Sequence, residues 1–381
     1  MILISAALIY GLKVKFQLQS AKKDQSTANL KDIVQKKLEM LGEKFCADID
    51  RGTFPAIRMK SRSTSNIFYS QELRQYVLGD ATITRSSRNI AHLRPLTQMI
   101  WTAYFVHELI KQKKTSTLRD VYYSAQAYDI FFKDQSESDN IITDLETAIG
   151  HPRESFNVFP EERSAVFGDL TIEYTVPGYE GRRLNLSSHP DGVMIGPALT
   201  DAKFIETSAD KVIVIEKGAM FTRFVEEKVY ENFNAILIYT AGQAPRSTRY
   251  FIRRLNRELG LPIYIFTDAD PWGMHIAMVI ISGSANAAHL TELTTPDAKW
   301  AGVWASDIID YNLPSDRLND RDIKRLKELK ADPRYGDSHW QRQIDIFMKI
   351  KKKCELEAFS RYGLTHIVEK YLPERLKELG A

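Results

Sequence analysis

The run Arg119-Asp120-Val121-Tyr122-Tyr123 lies upstream of Val-Ile-Val-Ile-Glu, ending at Glu216, and of Asp268-Ala-Asp270-Pro-Trp-Gly. A tyrosine hydroxyl and an acidic cluster of metal-binding type are the parts needed to break a phosphodiester and hold the broken end covalently. An ordinary tyrosine has a pKa of about 10, so at pH 7 only roughly one molecule in a thousand is phenolate. Attack on phosphorus therefore needs a nearby cation or base. Arg119 precedes Tyr123 by four residues, which puts both on one face of a continuous helix. There its guanidinium can stabilise the phenolate or the charge developing on phosphate. The plainer reading of either tyrosine is a packing aromatic.

Glu216 ends the apolar strand VIVI, and Asp268 and Asp270 follow the apolar strand IYIF. In an open α/β sheet the C-terminal strand ends form the ligand crevice. Three carboxylates converging there repel one another unless a cation sits among them. Hard oxygen ligands suit Mg²⁺. The competing reading is that each acid caps a following helix. Gly273 is expected to permit a tight turn after the second motif.

These residues need elements to position them. Leu30–Cys46 has helical spacing, and the stretch from Phe54 to Tyr69 suggests short strands around the basic turn Lys60-Ser61-Arg62-Ser63. From Leu96, the residues Ile100, Ala103, Tyr104, His107 and Ile110 predict one face of a helix. Thr115, Ser116 and Thr117 offer N-caps for a second, holding Arg119 to Tyr123. Ser136 to Asp139 is expected to cap a third, which Gly150 stops. With a strand signal at Phe167–Tyr174, the pattern suggests a helix-turn-helix with a wing; a generic three-helix unit remains open. Beyond about residue 190, apolar strands (Val212–Ile215, Ala235–Tyr239, Ile263–Phe266) alternate with helices (Phe221–Tyr230, Thr248–Leu259), which predicts a parallel α/β sheet. Charge-rich helices from about Leu318 are expected to cap it.

With 381 residues, 44% of them hydrophobic and 27% charged, the chain has room for two or three domains, each with a core. A net charge of +3 is mild support for nucleic acid. Local clustering says more: Arg85, Arg88, Arg94, Lys111, Lys113, Lys114 and Arg119 make the segment before the tyrosines basic. Arg246, Arg249, Arg253 and Arg254 recur on the helix before the acidic strand, as phosphate contacts or as a solvated face. The two cysteines, Cys46 and Cys354, suggest neither a disulfide framework nor a zinc site, which fits a reducing cytoplasm. The apolar start MILISAALIYG is far short of the ~20 residues that span a bilayer. A core strand or a misassigned start is expected there, followed by a flexible link at Lys22–Asn29. The eight histidines show no ligand spacing. His275, near the acidic motif, is expected to pack or hydrogen-bond rather than act as a base.

The stretches RSTSNIFYS, TLRDVYY, VIVIEKGAMFTRF, TRYFIRRL, IFTDADPWG and KKKCELEAFSRYGLTHIVEKYLPERL together resemble the A subunits of archaeal type IIB DNA topoisomerase VI, relatives of the meiotic double-strand-break transesterases. The resemblance runs from about Leu30 to the C-terminus; the first twenty or so residues have no clear counterpart. It implies an α+β, α/β multidomain fold. Residues 1–70 would be an N-terminal extension and arm, and 71–190 a winged-helix domain like that of catabolite activator protein. Residues 191–381 would be a toprim domain with C-terminal helices.

By the same resemblance, Tyr123, the second of the pair, is the nucleophile, supported by Arg119. Glu216, Asp268 and Asp270 hold Mg²⁺. Arg249, in the family's Thr-Arg pair, is the best candidate for DNA contact, with Arg246 and Arg62 beside it. Also implied is a homodimer in which one protomer's tyrosine meets the other's metal site, cutting both strands of double-stranded DNA and leaving 5′-phosphotyrosyl links. ATP would bind a separate GHKL-type B subunit in an A2B2 heterotetramer. The absence of a GxxxxGK[ST] loop from this sequence agrees. A standalone break-making transesterase, a toprim nuclease and a non-catalytic winged-helix DNA binder are the competing readings.

Overall fold

The computed structural model describes residues 30–380. The expectations for the apolar start and for the link at Lys22–Asn29 lie outside the described residues. The chain forms two units. One takes in residues up to Ser61 together with Asp80–Phe159, and the other Arg62–Gly79 together with Pro160 onward.

The first unit is helical. A helix over 30–50 extends the expected one, and buries Val34 and Leu38. The next helix, Ile90–Lys111, starts earlier than its periodicity suggests because the Asn89 side chain accepts from the Ala91 amide and caps it. Its buried face runs through Met99, Ala103, Val106 and Ile110, while Tyr104 points to solvent, contrary to expectation. Helix Leu118–Gln126 is capped by Thr117, whose hydroxyl accepts from the Asp120 amide. Helix Gln135–Ile149 is capped by Asp134 rather than by a residue of 136–139, and ends at Gly150, whose φ of 76° is the left-handed geometry of a C-cap.

A two-stranded antiparallel ribbon, Ala56–Lys60 with Thr82–Ser86, completes the unit's main elements. Arg85 of the ribbon pairs with Asp144 of the last helix. The wing expected at 167–174 is not part of this unit. Ala165–Phe167 is buried throughout and pairs antiparallel with Ala235–Tyr239 in the second unit. Gly168 (φ 142°) turns the chain where a Cβ would sit 3.0 Å from Ala235 O and Ile236 Cα. The segment Leu170–Glu173 then joins a three-stranded sheet with Lys203–Thr207 and Arg183–Asn185.

The second unit is built on a six-stranded sheet. Four strands run parallel in the order Ala235–Tyr239, Lys211–Ile215, Ile263–Phe266, Lys299–Gly302. Their near-continuous apolar sequences follow from burial on both faces. Ala165–Phe167 and Val193–Met194 extend the sheet antiparallel, so it is mixed where a parallel sheet was expected. The helix expected over Phe221–Tyr230 is two pieces, Gly218–Glu226 and Val229–Asn232, broken where Lys228 adopts a φ of 53°.

The hairpin Ile67–Ser70/Gln75–Leu78 also belongs to this unit: the Thr294 hydroxyl donates to Gln75 and the Tyr76 hydroxyl to Asp332. The C-terminal helices are present, including Asp320–Ala331, Ser338–Ile350 and Leu372–Glu378. A buried ion pair ties down the last of these. Arg375 donates to Asp307 at 2.5 Å and stacks 3.3 Å from the Trp304 ring, while the Tyr371 hydroxyl donates to the same carboxylate. Among the described residues no helix is long and apolar enough to cross a membrane.

Asp307 is 2% and Arg375 5% exposed, so removing one partner strands a buried charge. Arg375→Met is expected to lower stability in urea unfolding by roughly 3 kcal/mol or more. A loss below about 1 kcal/mol would mean that the pair does not anchor the C-terminal helix.

Candidate active site

The tyrosine pair is sorted by the packing of its helix. Val121 and Ala125, one turn apart, are fully buried and set the inward face. Tyr122, next to Val121, is half-buried, with its ring 6.5 Å from that of Phe132. Tyr123 falls on the outward side and is 52% exposed. Arg119, one turn earlier on that side, holds its guanidinium 5.8 Å from the Tyr123 ring centroid, a cation–π arrangement. The rings of Tyr122 and Tyr123 meet edge to face at 5.3 Å. Of the pair, Tyr123 is the one open to a substrate. Among the nearby basic residues, Arg85 and Arg94 are engaged by Asp144 and Glu137. Arg88, Lys113 and Lys114 are exposed and carry the local positive charge.

Strand register assembles the acidic cluster. Ile215 lies opposite Phe266 in the parallel pair, and the Glu216 amide donates to Phe266 O at 3.0 Å. Two residues beyond Phe266, the Asp268 amide donates to Glu216 Oε2 at 3.1 Å. Asp268 Oδ1 accepts from the Leu356 amide at 2.9 Å, and its Oδ2 lies 3.0 Å from Lys217 Nζ. Asp270 is the N-cap of helix Pro271–Ser282; its Oδ1 accepts from the amides of Trp272 and Gly273. The helix-capping reading of the acids is thus true of one oxygen of Asp270. Gly273 is required for a different reason from the expected turn. It sits in the helix's first turn, where a Cβ would lie 2.2 Å from Asp268 O.

Burial makes this cluster costly. Desolvation, with the neighbouring Asp268 carboxylate, pushes Glu216 up to about 7. Desolvation likewise raises Asp268 to about 6, and raises Asp270. Glu216 Oε1 and Asp270 Oδ2 have no hydrogen bond among the described residues, so each retains lone pairs for a ligand. An all-oxygen, charge-strained donor set of this kind suits a hard divalent cation. As they stand, no three acidic, histidine or cysteine side chains among the described residues are placed to hold a metal ion together. Glu216 leans on the Asp268 amide, Asp270 on its helix, and a lysine occupies Asp268.

Reading the sequence missed that lysine and the segment behind it. Lys217 Nζ is 3.0 Å from Glu355 Oε2 and 3.8 Å from Glu357 Oε2. Ala269 and Cys354 exchange backbone hydrogen bonds of 2.9 and 3.1 Å, which lays 354–357 along the acidic motif. Lys217 and this segment both lie in stretches that carry the family resemblance, VIVIEKGAMFTRF and KKKCELEAF, but neither stretch marked a role for them. The pairing with 354–357 spans more than eighty residues and has no local signature.

The arginines differ in availability. Arg62 and Arg246 are partly exposed, whereas Arg249 is 7% exposed. Arg254 is buried and donates to the carbonyls of Thr200 and Ala202, and Arg253 donates to Thr294 O. Burial, with Arg325 and Arg334 nearby, takes His275 down to about 4, so the ring is neutral near pH 7, in keeping with a packing role.

Comparison with known proteins bears on the whole chain. Residues 211–376 match the family model for the Toprim domain shared by the topoisomerase 6 A subunit with Spo11, and residues 94–158 match that of type IIB DNA topoisomerase. The A subunit of type 2 DNA topoisomerase 6 from Methanothermobacter thermautotrophicus is 45% identical over 92% of this chain and 98% of its own length. Its counterparts in Halobacterium salinarum and Archaeoglobus fulgidus are each 37% identical, over 89% and 86% of this chain and 94% and 92% of their own lengths. The tyrosine helix lies within one matched segment and the carboxylate cluster within the other; the chain belongs to the family of topoisomerase 6 A subunits.

Proposed function

We propose that this chain is the DNA-cleaving subunit of an ATP-dependent type IIB topoisomerase, with Tyr123 as nucleophile. The observation that carries the assignment of attack is the sorting of the tyrosine pair: Tyr123 is exposed under Arg119, and Tyr122 is packed. Tyr123 Oη bonds to phosphorus as the bond from phosphorus to the 3′ oxygen breaks. The tyrosine proton is lost, the 3′ oxygen gains one, and the 5′ end stays on the protein. No bond is hydrolysed, so religation is the same exchange reversed and needs no nucleotide.

Arg119 places a permanent positive charge beside the ring, where it can stabilise the negative charge that develops on the phosphate. Glu216, Asp268 and Asp270 would hold Mg²⁺, which when bound supplies positive charge against the phosphate oxygens. Arg246 and Arg62 are the phosphate contacts in this reading. Arg249, on the same helix as Arg246, is 7% exposed.

In this reading the helical unit is the DNA-binding domain expected of the family, with the ribbon Ala56–Lys60/Thr82–Ser86 rather than 167–174 in the place of the wing. The working assembly is a homodimer in which one protomer's tyrosine acts at the other's carboxylates on double-stranded DNA. With a GHKL-type ATPase B subunit it forms an A2B2 heterotetramer, acting in the cytoplasm on the nucleoid.

With supercoiled DNA, Mg²⁺, ATP and the ATPase partner, Tyr123→Phe is expected to reduce cleavage below detection and leave DNA affinity within about twofold. Tyr122→Phe should retain cleavage within a few-fold, since its ring packs. If Tyr123→Phe still cuts, water is the nucleophile and the chain is a nuclease. If neither variant nor wild type cuts but all bind, a non-catalytic binder is indicated. Relaxation that needs both the ATPase partner and ATP separates this enzyme from a standalone transesterase.

Glu216→Ala is expected to lower metal-dependent cleavage on the order of a hundredfold or more. Unchanged cleavage across a Mg²⁺ titration would remove the carboxylate cluster from the mechanism.

A further inference from the structure

The two oxygens of Asp268 are claimed by partners of opposite character. Oδ1 is bound by the Leu356 amide, part of a backbone segment pinned to Ala269 by paired hydrogen bonds. That contact cannot be given up without peeling the segment from the site. Oδ2 is bound by Lys217 Nζ, the end of a flexible side chain with three rotatable donors. The same ammonium is already 3.0 Å from Glu355 Oε2, whose side chain is 68% exposed, and 3.8 Å from Glu357 Oε2. Lys217 stands in extended geometry directly after Glu216, as the N-cap residue of helix Gly218–Glu226. Its backbone is fixed at the site while its tip lies between an inner and an outer acid.

We infer that Lys217 is the resident counter-cation of the carboxylate site, sharing Asp268 until a divalent ion binds and then carried by Glu355 and Glu357. This rests on the reading of Glu216, Asp268 and Asp270 as metal ligands. Without a divalent ion, the three carboxylates have one ammonium in direct contact, Lys217 on Asp268, while Lys353 acts on Asp270 from its own pair with Asp322. When the ion arrives, a positive charge at Asp268 becomes a repulsive neighbour and moves outward. Because Glu355 is already within reach, the ammonium stays paired during the move, which makes the displacement inexpensive. The lysine thereby weakens metal binding and stabilises the metal-free cluster, and the outer acids restore part of the affinity.

Mn²⁺ binding to the full-length chain, followed by electron paramagnetic resonance of the free ion, tests this directly. Lys217→Met is expected to bind Mn²⁺ more tightly, on the order of tenfold even with water-like screening, because a like charge has left the site. Lys217→Arg, which keeps the charge, should stay within about twofold of wild type. Glu355→Gln/Glu357→Gln is expected to bind several-fold more weakly, and the same pair should matter much less in the Lys217→Met background. Thermal unfolding of each metal-free variant confirms that it is folded. Unchanged or weaker binding by a folded Lys217→Met overturns the inference, as does equal loss from the glutamine pair in both backgrounds. If wild type shows no Mn²⁺ binding that Asp270→Asn weakens, the metal-ligand reading itself fails, and the inference with it.

Discussion

The register between the parallel strands Lys211–Ile215 and Ile263–Phe266 is the constraint on which the carboxylate site depends. Pairing Ile215 with Phe266 brings Glu216 against the Asp268 amide and puts both acids at the same end of the sheet. With both faces buried, a slip of one residue would press each side chain into a space shaped for its neighbour, so close packing on both faces fixes the register. The core of the second unit, through residues such as Val212, Val214, Ile263 and Ile265, therefore holds the acids in a geometry they would not choose. The raised carboxyl groups are the electrostatic consequence. Gly273 and the bridge from Ala269 to Cys354 tighten the same point, one by allowing a helix backbone against Asp268 O, the other by bringing in Glu355 and Glu357.

The tyrosine helix follows a simpler logic. A nine-residue helix with Val121 and Ala125 inward has little freedom in its rotation, so Arg119 and Tyr123 face outward together. The aromatic neighbour Tyr122 closes the core against Phe132. An exposed tyrosine under a guanidinium is a poor packing choice and a useful chemical one.

Much of this was legible in the sequence where local physics decides. The strands VIVI, AILIY and IYIF, the helix carrying the tyrosines and the Gly150 stop all follow from burial pattern or cap chemistry. Legibility failed where distant segments decide. Ala165–Phe167 reads as a strand but does not disclose its partner, and burial against Ile238 and Leu237 draws it into the second unit rather than a wing. Tyr104 has helical spacing but lies beyond the edge of the buried stripe. In the site, the acids were readable because each ends an apolar strand. Lys217 and Glu355 were not, because their meeting depends on a backbone pairing between residues 269 and 354. Arg249 carried a motif signal, and only the packing of its helix reveals that it is covered.

In the proposed function one tyrosine on an outward helix face, and not its neighbour, becomes covalently bound to DNA. The most direct measurement is to trap cleavage complexes with Mg²⁺, ATP and the ATPase partner, digest both components, and identify the nucleotide-bearing peptide by mass spectrometry. The expected result is a 5′-phosphotyrosyl adduct on Tyr123. An adduct on Tyr122, or cleavage with no protein attached, would contradict the account.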